Sequence, residues 1–159
     1  MLTQRMLCCV LLAGSAQAGE PPWPPVATKM GILLKTEFLY WRPALPGLPE
    51  TVRFAALEGN PSQADVFTVR LALPAHVQIR SHTFPHAVRA TVLSGSLSFG
   101  FRDNTRELSA GDFWATPAEL PEAFVALEDS IVQLSTTGPW ALTYVGPRHD
   151  PGRPDSSRE

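Results

Sequence analysis

The feature that most constrains this chain is a series of short runs in which apolar and polar or small residues alternate. "DVFTVRLAL" (65–73), "VRATVL" (88–93), "SLSFGF" (96–101), "DFWATP" (112–117), "FVAL" (124–127), "IVQLS" (131–135) and "WALTYV" (140–145) all carry this period of two or a short apolar strand-like core. Successive side chains of a strand point to opposite faces, so such runs present one apolar face and one solvated face. Turn residues separate them: Gly59-Asn60-Pro61, Ser94-Gly95, Asp103-Asn104, Ala110-Gly111 and Gly138-Pro139. Many short strands with regular turn signals predict an all-β antiparallel sandwich or barrel. No long stretch has helical period, although "TKMGILLKTEFLYW" (28–41) reads as either helix or strand.

The ends of the chain have a different character. Residues 1–18, "MLTQRMLCCVLLAGSAQA", combine a positive start at Arg5, an apolar run and the small-x-small pattern Ala16-Gln17-Ala18. This is the pattern of a secretory signal peptide cleaved after Ala18, and it implies a periplasmic or secreted protein. The apolar run is shorter than the roughly 20 residues a membrane span needs. Leu7 and Cys8 are not the small residues that precede a lipidated cysteine. Both cysteines of the chain, Cys8 and Cys9, lie in this leader, so the mature domain has no disulfide and no thiol chemistry. A proline-rich linker and N-terminal segment follow at 19–36, the candidate barrel at 37–146, and a polar tail at 147–159 that holds His149. About 140 residues remain after cleavage, enough for one domain with a single core.

Charge narrows the partners. The chain has 13 Lys and Arg against 15 Asp and Glu, and only Arg5 falls in the leader. A near-neutral balance with no basic run argues against nucleic acid and against an anionic membrane surface.

Three of the four histidines cluster in "HVQIRSHTFPHAVRATVLSG" (76–95). Clustered imidazoles suggest a divalent-metal site, because neutral imidazole suits Zn, Fe, Mn and Ni. The spacing around them resembles the first motif of the cupins, G-x5-H-x-H-x3-E-x6-G. His76 stands at the first Gly, His82 at the first His, Phe84 at the second His, Val88 at the Glu and Gly95 at the last Gly. The second motif, G-x5-P-x-G-x2-H-x3-N, is similar to the stretch from Gly111 and Pro117 through Glu119 at the Gly, Glu122 at the His and Ala126 at the Asn. "WRPALPGLP", "LEGNP", "VRLALPA", "ATVLSG", "LSAGDF" and "TGPWALTYV" are similar to segments of small exported bacterial cupins, which typically carry a P-H-W-H metal motif. The resemblance spans roughly residues 40–146 and implies a cupin double-stranded β-helix, or jelly-roll barrel.

In metal-binding cupins two His, one Glu and a third His line the barrel and hold one ion. The resemblance leaves this chain only His82 of the four. The implied pocket residues are His82, Phe84, Val88 and Glu122. A reduced metal set of His82, His86 and Glu122 is the alternative, two imidazoles and a carboxylate being a known open-site combination. His86, after Pro85, reads as a solvated turn residue or a rim ligand, and His76 as a surface turn residue. His82 is otherwise a satisfied structural histidine, and Glu122 otherwise a solvated loop residue. Phe84, Val88, Ala90 and Val92 read as inward-facing core. Trp41, Trp114, Trp140 and Tyr144 read as structural aromatics, any of which can wall a pocket.

Two function classes follow. One is an exported, metal-independent cupin whose apolar pocket binds an unknown small molecule or has become structural, with no cofactor. The other is a divalent-metal cupin enzyme of dioxygenase or isomerase type. The ligand substitutions favour the first and argue against an enzyme. If so, Glu122 loses a metal partner and His82 becomes its natural neighbour. The resemblance also allows a homodimer.

Overall fold

The structure is a computed structural model that describes residues 31–101 and 104–146. The leader, its cysteines, most of the proline-rich linker and the tail with His149 lie outside the described residues.

Alternation sets the architecture. In β3 (Val66–Leu73) burial alternates strictly, with Phe67, Val69, Leu71 and Leu73 inside. In β10 (Ser130–Thr137) the same pattern sends Ser130, Val132, Leu134 and Thr136 inward. These two strands pair along their whole lengths, from Ser130 opposite Leu73 to Thr137 opposite Val66. Around them forms a six-stranded antiparallel sheet in the order β1-β2-β3-β10-β5-β8. Its other members are β1 (Arg42–Pro43), β2 (Arg53–Glu58), β5 (Val88–Ser94) and β8 (Phe113–Thr116). The second sheet has the order β11-β4-β9-β6-β7. It comprises β4 (Gln78–Thr83), β6 (Ser96–Phe101), β7 (Asn104–Ser109), β9 (Glu122–Ala126) and β11 (Thr143–Tyr144). The chain crosses repeatedly between the sheets, which makes the all-β jelly-roll expected from the sequence.

The core lies between the sheets. Val88, Ala90, Val92 and Trp114 of the first sheet meet Ile79, Leu97, Phe99 and Phe124 of the second in one buried cluster. Each fully buried Val, Leu, Ile or Phe contributes about 1.5–3 kcal/mol. A cluster of this size can therefore absorb the several kcal/mol that a few buried polar groups cost.

Three strands are not legible as alternation. In β2 the register shifts between Ala56 and Glu58, so its pattern breaks. In β4 a bulge does the same. β7 is almost wholly exposed and pairs only with β6, so it has no apolar face to announce it. The run 140–145 is mostly loop, with only Thr143–Tyr144 in β11. The ambiguous N-terminal stretch is neither helix nor strand over most of its described length, with one 3-10 turn at Thr36–Phe38.

Turn geometry carries the imprint of the motif spacing. Gly95 has φ +77° and Gly111 φ +97°, values that L side chains seldom adopt. Among the described residues, His76 (φ 66°) and Glu119 (φ 61°) are the non-glycine residues with positive φ. These are the two positions at which the sequence departs from a motif glycine.

Candidate functional site

The bulge in β4 creates the site. Ile79 pairs with Phe124, and the next registered pair is His82 with Glu122, so β4 spends one residue more than β9 between them. An extra residue re-aims the side chains beyond it. Ile79 and His82 are both fully buried despite being an odd number of residues apart. Without the bulge, strict alternation would turn one of them outward. β9 keeps its period and sends Glu122, Phe124 and Ala126 inward. His82 and Glu122 are thus cross-strand neighbours in the interior, with 0% and 2% of their surface exposed.

Hydrogen bonding defines what each group presents. His82 Nδ1 lies 2.7 Å from the carbonyl oxygen of Arg80. A carbonyl only accepts, so the proton sits on Nδ1 and the other ring nitrogen is left for the interior. His82 Nε2 is 3.6 Å from Glu122 Oε1, beyond a good hydrogen bond. The Thr116 hydroxyl on β8 donates to Glu122 Oε2, joining the two sheets through one carboxyl group. Among the described residues, two buried side-chain nitrogens have no hydrogen-bond partner: His82 Nε2 and Trp114 Nε1.

Hydrocarbon surrounds these groups. Phe84 meets the imidazole edge-on, with ring centroids 5.1 Å apart, and Phe124 and Tyr144 each stand 6.2 Å away. A small internal cavity of about 10 Å³ is bordered by His82, Phe84, Trp114, Glu122, Leu48 and Trp140, among others. That is room for about one water molecule. Leu48 reaches it from a turn outside any strand. Trp140 Nε1 donates to the Pro46 carbonyl and the Tyr144 hydroxyl donates to the Gly47 carbonyl, each at 2.8 Å. Burial pushes the Tyr144 phenol above its ordinary value, opposed by the Arg80 guanidinium.

The structure brings His82, Phe84 and Glu122 together around this cavity. Val88 is fully buried on β5. His86 is exposed in the turn between β4 and β5, and His76 is exposed before β4. Among the described residues no group of three or more His, Cys, Asp or Glu side chains is gathered as a metal would require. Of His82, His86 and Glu122, the structure pairs His82 with Glu122, while Pro85-His86 forms an exposed turn after the strand ends. The donors present do not fit a divalent cation. Phe84 and Val88 offer no lone pair, Glu122 is engaged by Thr116, and only His82 and Glu122 remain. Open catalytic sites of this kind use three protein ligands.

The sequence reading missed Thr116 and Leu48. Thr116 was discoverable, since period two from Trp114 in "DFWATP" places both on one face. Leu48 had no such signal, because it lies in a turn outside any strand.

No protein-family model matches the chain, and no curated protein matches it. Solved structures do. An RmlC-like cupin from Shewanella frigidimarina is 15% identical with a TM-score of 0.56, covering 66% of this chain and 88% of its own. KdgF from a Halomonas species is 22% identical with a TM-score of 0.56, over 68% of this chain and 94% of its own. The polyketide cyclase RemF from Streptomyces resistomycificus is 19% identical with a TM-score of 0.59, over 75% and 88%. At such identities the likeness establishes the fold and leaves the chemistry to the site.

Proposed function

Because this chain has the cupin fold, we propose that it is an exported cupin that works without a metal and binds a small, largely apolar molecule inside its barrel. The observation that carries this reading is the fate of the ligand positions. The second His and the Glu of the motif are Phe84 and Val88, both buried in the core. The third His is Glu122, bonded to Thr116 and set beside His82. A carboxyl and an imidazole survive as one polar pair in a hydrocarbon interior, where a single-ion cage needs at least one donor more. The dioxygenase or isomerase reading lacks that donor.

Metal content of protein purified from the periplasm tests the proposal, with His82→Ala alongside. The expected result is far less than one ion per chain in both. Near-stoichiometric metal that disappears in His82→Ala would overturn it. Export is tested on the same preparation, whose first residue should be Gly19.

A further inference from the structure

Two residues that border one cavity each carry a buried nitrogen without a hydrogen-bond partner among the described residues. Trp114 Nε1 and His82 Nε2 are each without a hydrogen-bond partner, and both residues line the cavity under Leu48. His82 is fully buried and Trp114 is 6% exposed, so bulk solvent satisfies neither. Their needs are opposite. An indole N–H can only donate. His82 Nδ1 donates to the Arg80 carbonyl, and in that tautomer Nε2 is an acceptor. A hydroxyl group meets both demands at once, accepting from Trp114 and donating to His82. A carbonyl or an ether serves only Trp114.

Glu122, whose carboxyl accepts from Thr116, also borders the cavity, and the remaining lining is mainly hydrocarbon, Leu71, Ile79, Phe84, Phe124, Val132 and Leu134 among it. The volume beneath Leu48 is about 10 Å³, too small for an organic molecule. Its removable wall is the turn around Gly47. Leu48 belongs to no strand, and its turn is held by side-chain bonds from Trp140 in the loop before β11 and from Tyr144 in β11. Displacing Leu48 opens the cavity without breaking a sheet ladder.

We infer that the cavity takes a small apolar molecule carrying one hydroxyl, an alcohol or phenol, held between Trp114 Nε1 and His82 Nε2 and admitted by displacement of Leu48. This rests on the small-molecule-binding reading and names its ligand class. A single trapped water has the same hydroxyl chemistry, and the experiment separates the two sources.

The test compares phenol with benzene, which differ by the hydroxyl alone, by calorimetry on the mature chain carrying Leu48→Ala. A purely apolar cavity favours benzene, since phenol would lose water from its hydroxyl without replacement. The expected result is phenol binding about tenfold more tightly than benzene, the worth of one or two net hydrogen bonds. Adding Trp114→Phe should reduce that preference to about threefold or less. Equal binding, or a preference for benzene, overturns the hydroxyl site and leaves the binding reading standing: the nitrogens then hold only water. A phenol preference unmoved by Trp114→Phe also overturns it. Folded Leu48→Ala that binds neither probe removes the small-molecule reading itself. Should Leu48→Ala fail to fold, Tyr144→Phe, which releases the turn by deleting its bond to Gly47, carries the same comparison.

Discussion

Inside the barrel, Phe84 and Val88 stand where the cupin pattern has a histidine and a glutamate, and both remain buried. At the turns, His76 and Glu119 stand where it has glycines, and both keep a positive φ. On the register that the sequence resemblance implies, the two regions differ from one pattern under different constraints. In the interior a side chain's direction is imposed by the strand or by the backbone running on from it, so any residue there must tolerate burial, and hydrocarbon tolerates it best. At a turn the backbone path is imposed by the strands it joins, so a replacement must tolerate strain. Chemistry was therefore free to change in both places, while geometry was free in neither.

The largest effect should come from reversing the interior change one residue at a time. Val88→Glu places a carboxylate at a fully buried position with no designed partner. A loss of about 4 kcal/mol is expected by denaturant titration, the scale of an unpaired buried charge. The triple variant Phe84→His, Val88→Glu, Glu122→His, with His82 retained, should regain stability when Zn²⁺ is added and bind it. A triple variant that folds yet takes up no metal would break the comparison, because the motif register would then be wrong.

Gly95→Ala should come next. Gly95 is a motif glycine that stayed, and a Cβ there would lie 2.2 Å from Ser130 Oγ and 2.6 Å from the Asp129 carbonyl oxygen, at φ +77°. Strain of the left-handed backbone plus overpacking gives an expected loss of about 3 kcal/mol, read as a lowered denaturation midpoint. A loss below about 1 kcal/mol would mean that this turn adjusts as easily as an open one, and the distinction between retained and replaced glycines would collapse.

The same contrast explains what was legible in the sequence. Period two exposed β3 and β10 because both follow strict alternation with a solvated outer face. It failed for β4, where the bulge puts Ile79 and His82 on one side and erases the period. There the motif spacing succeeded, because spacing counts bulged residues and periodicity does not. Spacing also put His82, Phe84 and Glu122 in the interior. It could not supply Trp114 and Thr116, which reach the site from another strand, nor the Leu48 turn, which comes from far earlier in the chain. His86 reads from the sequence as either a solvated turn residue or a rim ligand. The turn after Thr83 carries it to the surface.

A smaller effect of opposite sign is expected where glycine was lost. His76→Gly and Glu119→Gly should each stabilise the protein by about 0.5–1 kcal/mol, the relief of left-handed strain less the added entropy of the unfolded glycine. Both backbones are held in place, His76 by its N–H on the Ala126 carbonyl at 2.8 Å and Glu119 by its N–H on the Phe84 carbonyl at 2.9 Å. Those bonds survive the substitution, so the midpoint shift isolates the strain. If either variant is destabilised, the side chain has acquired a role that the turn alone does not reveal.

The smallest effect belongs to Tyr144, which touches both regions: its ring faces His82 and its hydroxyl holds the Gly47 turn. Burial raises the folded phenol's pKa above its ordinary value of 10.0. While the pH stays below that value both states keep the proton, and the contribution is complete. As pH rises past it the unfolded chain ionises first, so stability falls until the folded phenol ionises as well. The ionised phenolate also cannot donate to Gly47. Wild type should therefore lose more stability than Tyr144→Phe between about pH 9 and 11. Parallel curves for the two proteins would mean that the hydroxyl is solvated, and that the closed turn over the cavity is held by Trp140 and Leu48 alone.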